Sequence, residues 1–112
     1  MKNVTKLFII IGICMSMSAC KPIGMSSENY DLGVKAVDVI DQYLDGEITS
    51  MEALDKLHLI EYQIDTEDDN NTKLLKLYVG SASVAIAGST SYNNNVERIK
   101  EAKEDINNCL NR

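Results

Sequence analysis

The chain has 112 residues, 45% of them hydrophobic and 25% charged, with 11 basic against 17 acidic side chains and a net charge of −6. That length holds one domain with a modest core and excludes a second. An acidic surface repels phosphate backbones, which excludes nucleic acid as the partner.

The first twenty residues have the three parts of an export signal. Lys2 and Lys6 stand ahead of an apolar run from Leu7 to Met17, and the small residues Ser18 and Ala19 then precede Cys20. The run is too short to span a bilayer, which takes roughly 20 apolar residues. Met17-Ser18-Ala19-Cys20 resembles the lipobox of bacterial lipoproteins, with Met17 in place of the usual Leu. The resemblance implies cleavage behind Ala19, a lipid on the sulfur of Cys20, and attachment to the extracytoplasmic face of the cell membrane or outer membrane. In a host with two membranes, Lys21 rather than Asp after the cysteine favours the outer one by the same resemblance. An ordinary secretory signal cut elsewhere is the alternative.

Residues 1–19 are thus expected to be a cleaved signal, 20–28 the lipidated cysteine and its tether, and 29–112 the folded domain. Lys2 and Lys6 leave with the signal, so the remainder carries nine basic against 17 acidic residues, a net charge of −8. Such a domain is not expected to lie on anionic lipid, and the acyl chains are left as its membrane contact. Lys21 to Glu28 holds the only proline with a glycine and two serines, and reads as a flexible spacer spanning about 15 Å as coil.

Helical periodicity begins after the spacer. Gly33, Ala36, Val37, Ile40 and Leu44 recur at three- and four-residue spacing, predicting a helix from Asn29 to Leu44. Asp45-Gly46 closes it, glycine being suited to the left-handed conformation of a helix end. Thr49 and Glu52 have the spacing of a capping box, and Ala53, Leu57, Ile60 and Ile64 carry a second helix to Asp65. The two should fold back as an antiparallel hairpin.

The turn between them admits a sharper reading. Counted from Asp41, the residues Asp41, Asp45, Gly46, Ile48 and Glu52 occupy positions of a calcium-binding EF-hand loop, which gathers carboxylate oxygens around a tight turn. Tyr43 stands where that motif wants Asp or Asn, and Thr49 offers only a hydroxyl. Asp41, Asp45 and Glu52 are the candidate ligands of this alternative, a calcium- or small-ligand-binding module. The same stretch, Gly46-Glu47-Ile48-Thr49-Ser50-Met51-Glu52, also resembles turns of the SHOCT family of short bacterial helical hairpins, which implies a structural turn and no metal.

Asp65 to Asn71 has no apolar residue and reads as a solvated loop; a bound cation is the alternative. A third helix is predicted from Thr72 to Ala87, with large residues at Leu74, Leu75, Leu77 and Tyr78 and small ones from Gly80 to Gly88. Small residues let another helix approach closely, in a membrane, at a partner or in the bundle centre; burial in the bundle is the expectation. After a loop at 88–93, Asn94 and Glu97 have cap spacing, and Val96, Ile99, Ala102, Ile106, Cys109 and Leu110 form the stripe of a last helix.

The fold class expected is therefore all-α, a small bundle of three to four helices built on an antiparallel hairpin. His58, the only histidine, lies among core-like positions and is expected half-buried, without ligand partners. Cys109 has no intrachain partner once Cys14 leaves with the signal and Cys20 carries lipid, and its face predicts burial; a bridge between chains is the alternative. There is no nucleophile with a base, no phosphate-cradling glycine loop and no cofactor or metal ligand set. The chain reads as a noncatalytic envelope lipoprotein that binds or blocks another protein, as adaptor, inhibitor or immunity-type factor.

Overall fold

A computed structural model describes residues 22, 24–66, 69–89 and 95–112. Cys20 and the export signal lie outside the described residues, as do Asn94 and Tyr92. Four helices form: α1 Ser27–Leu44, α2 Ser50–Gln63, α3 Asn70–Ala87 and α4 Val96–Cys109. No strand occurs among the described residues. The chain is the all-α bundle that the periodicity predicts.

α1 begins two residues early because Ser26 caps it, its hydroxyl accepting from the Asn29 amide at 3.1 Å. Met25 just before the cap is only 2% exposed and belongs to the core, and Pro22 is buried. The expected spacer is therefore shorter than Lys21 to Glu28, since its second half packs on the domain. Gly46, at φ +77°, closes α1 in a Schellman motif: its amide donates to the Tyr43 carbonyl at 3.1 Å and the Glu47 amide to Gln42 at 2.9 Å. Asn111, at φ 59°, ends α4 the same way, with Asn111 donating to Asn108 and Arg112 to Asn107.

Asp69 caps α3, accepting from the Thr72 amide at 3.0 Å and from its hydroxyl, so the helix starts at Asn70 rather than Thr72 and Asn70 and Asn71 are helical rather than loop. At α4 the cap position falls on Asn95, which makes no cap bond; its side-chain amide donates to the Ala85 carbonyl at 3.2 Å instead. That bond ties the start of α4 to the end of α3. Cys109 Sγ lies 2.9 Å from the Asn71 carbonyl and ties the other ends together, so α3 and α4 run antiparallel along their whole length.

α3 lies between α2 and α4 and also touches α1 beneath, while α2 and α4 do not meet. The short diagonal depends on Gly33, where a Cβ would stand 2.8 Å from Leu110 Cδ2 and 3.1 Å from Leu75 Cδ1. The core is filled by Ile40, Leu57, Leu75, Val79, Ile86, Ile99, Ile106 and Leu110, all less than 2% exposed.

Candidate functional site

The turn proposed as a calcium loop is occupied by structural bonds. Thr49 caps α2, accepting from the Glu52 amide at 3.1 Å, and its hydroxyl donates to Glu52 Oε1 at 3.2 Å. Glu52 thus returns to the hydroxyl of the cap rather than to its backbone amide. Asp41 pairs with Lys103 of α4, Oδ1 to Nζ at 2.6 Å, and Asp45 is the residue that closes α1. Among the described residues no group of three or more His, Cys, Asp or Glu side chains is placed to hold a metal ion. Asp41, Asp45 and Glu52 are not brought together.

His58 is exposed rather than half-buried, because it sits on the side of α2 away from Leu57. Cys109 is half-buried, not fully buried, and free. Burial pushes its thiol above the ordinary value of 9.0, and the negative charge of Asp69 adds to this against a weaker opposing bond from the Leu75 backbone. A protonated thiol donating to Asn71 is a poor nucleophile.

A groove of about 1200 Å³ runs along the outer side of α3. α3 has an inner and an outer side. Leu75, Val79, Ala82 and Ile86 face the core, each at most 1% exposed. Leu77, Ser81, Val84 and Gly88, spaced by four, three and four residues, run along the opposite side, where Leu77 is 61% and Val84 72% exposed. Burial of the small-residue half of α3 is thus only partly realised: Ala82, Ser83 and Ala85 are inside, while Ser81, Val84, Ala87 and Gly88 are not.

The walls are charged. Glu61 and His58 of α2 stand on one side, and Arg98, Glu101 and Asp105 of α4 on the other. The Glu61 carboxylate leans over α3, 3.2 Å from where a Cβ on Gly80 would lie. In its floor Ser81 Oγ donates to the Leu77 carbonyl at 3.0 Å. Sequence reasoning missed this face because it expected the small-residue half of α3 to be buried in the bundle; the signal was the second stripe, offset by half a turn from the first.

A smaller polar recess lies between the starts of α1 and α3, bordered by Asn29, Asp65, Asp69 and Thr72. Its polar groups are bonded to one another. No helix of the described residues is long and apolar enough to cross a membrane. Comparison with protein-family models, with curated proteins and with solved structures finds no match to this chain.

Proposed function

We propose that the protein is a small envelope lipoprotein, held to its membrane by lipid on Cys20, that works without catalysis by binding another protein. The observation that supports this reading is the open face of α3, where Leu77 and Val84 stand exposed above a groove with charged walls. Large apolar side chains left in water at a concave site are the mark of a protein-docking surface. An adaptor, an inhibitor and an immunity-type factor all need such a surface and no reacting groups.

Recovery of partners from cell envelopes by the lipidated protein tests the reading. The wild type is expected to retain a partner in fixed ratio, Leu77→Glu to lose it, and Cys20→Ala to leave the membrane fraction. Equal recovery by the wild type and Leu77→Glu would contradict the role of α3. Unchanged fractionation and mass of Cys20→Ala would contradict the anchor.

A further inference from the structure

Resting on the reading of Cys20 as the lipid anchor, we propose that the flank of α2 carrying Leu59 and Tyr62 lies on the lipid bilayer, a second membrane contact beside the acyl chains. The anchor cannot stand off from the fold. Pro22 is buried and Met25 is only 2% exposed, and the Met25 amide donates to the Pro22 carbonyl at 3.3 Å. Cys20 is two residues before Pro22, so it lies at most about 7 Å from it. Gly24 and Ser26 border one recess with Leu32 of α1 and Gln63 of α2. The lipid is thus held at the end of the bundle where α1 begins and α2 ends, and the surface beside that end meets the bilayer.

Leu59 and Tyr62 are placed for that contact. They stand three residues apart in the last turns of α2, neighbours on its surface, 58% and 85% exposed. Tyr62 adjoins Gln63 and Leu59 lies one turn before it, while half-buried Leu32 borders the same recess as Gln63. At a membrane surface a leucine enters the edge of the hydrocarbon and a tyrosine keeps its hydroxyl among the headgroups. Charge decides which lipid suits this flank. Lys56, three residues before Leu59, and Lys35, three after Leu32, are exposed, but so are Asp55 and Glu28, each four residues before the same leucines. The flank has no excess of positive charge and the chain as a whole stands at −6, so the contact is apolar and favours zwitterionic over anionic lipid. Neither Leu59 nor Tyr62 lines the groove of α3, whose wall on α2 is Leu54, His58 and Glu61. The groove therefore stays open to a protein partner while the flank is covered.

Environment-sensitive fluorophores on single cysteines test the contact, on the lipidated protein in phosphatidylcholine vesicles and in a Cys109→Ser background. A label on Gln63→Cys leaves Leu59 and Tyr62 in place; it is expected to shift to the blue and to be quenched by lipid-borne nitroxide. A label on Lys100→Cys, exposed near the start of α4 at the other end of the bundle, is expected to do neither. Adding Leu59→Ser and Tyr62→Ser to Gln63→Cys should return its label to the aqueous wavelength without lowering the melting temperature, since both side chains are exposed. A Gln63→Cys label that reads aqueous on protein whose mass shows lipid on Cys20 would overturn the proposal and leave the anchor standing. Mature protein without lipid on Cys20 would overturn both, because the anchor is what brings this flank to a bilayer. Quenching that strengthens when phosphatidylglycerol is added would also overturn it, since charge would then hold the surface. Shielding of the label in cell envelopes but not on vesicles would overturn it in favour of a protein occupant.

Discussion

Asn29 and Asp65, 36 residues apart, are joined by two hydrogen bonds: the Asn29 side-chain amide donates to the Asp65 carbonyl at 2.9 Å, and the Asp65 amide donates to Asn29 Oδ1 at 3.2 Å. Asn29 is only 8% exposed, so a side chain in the first turn of α1 serves as the clasp for the chain leaving α2. Asn29→Ala is expected to cost about 1–2 kcal/mol, two ordinary hydrogen bonds less the water that reaches the exposed Asp65 side. Asn29→Asp should cost more, since it removes the donor and sets a carboxylate against a carbonyl. Chemical denaturation checks both, and equal stability of Asn29→Asp and the wild type would contradict the clasp.

Gly33 is where the short diagonal of the bundle closes. Alanine there gains about 1 kcal/mol of helix propensity, but its methyl would stand 2.8 Å from a terminal carbon of Leu110 and 3.1 Å from one of Leu75, both fully buried. Overpacking of that kind costs about 1–3 kcal/mol, so the net effect of Gly33→Ala is destabilisation by about 1 kcal/mol. Thermal unfolding should show a fall of about 4–8 °C. A rise would mean that α1 lies further from α3 and α4.

Cys109 should react slowly with alkylating reagents at neutral pH. Its folded value is raised, so the thiolate appears at higher pH in the folded chain than in the unfolded one. The sign follows for stability as well. The folded state holds the proton more tightly, the thiol costs nothing below its ordinary value of 9.0, and stability is lost as pH rises past it. Alkylation of the Cys109 peptide followed by mass spectrometry should give a midpoint above that of the denatured chain. A midpoint at or below it would contradict the burial described.

Asp41 and Lys103 form an ion pair that water reaches, with side chains 42% and 34% exposed. Such pairs contribute about 0–1 kcal/mol, and Asp41→Ala should change stability by no more. With Asp41 held by Lys103 and Glu52 by Thr49, millimolar calcium should leave the melting temperature unchanged. A calcium-dependent rise that disappears in Asp41→Ala would restore the EF-hand reading.

What the sequence made legible was local. The Thr49 cap, the Gly46 helix end and the stripe Ile99, Ala102, Ile106 are each decided within one or two turns, and each stands as the spacing predicts. Features that depend on a neighbouring element were not legible. Met25 read as spacer because no periodicity reaches it; it is buried by the helices it folds against. The cap position of α4 falls on Asn95, one residue after Asn94, and its side chain is turned to the Ala85 carbonyl of the neighbouring helix. Period alone places large apolar residues on two sides of α3 but does not say which side meets α1. The inner stripe follows from Gly33, the residue that lets α1 approach, and the outer stripe is what remains.

The most direct measurement on that outer stripe is the pair of responses of Val84→Asp, thermal stability and association, read on the same full-length protein. Val84 is 72% exposed, so the carboxylate meets water in the isolated fold and the melting temperature should stay within about 2–4 °C of the wild type. Association through the α3 groove should be lost, because the same carboxylate would be buried there without a partner. A collapse of the melting temperature would show that Val84 belongs to the core, and undiminished association would show that α3 is not the docking face.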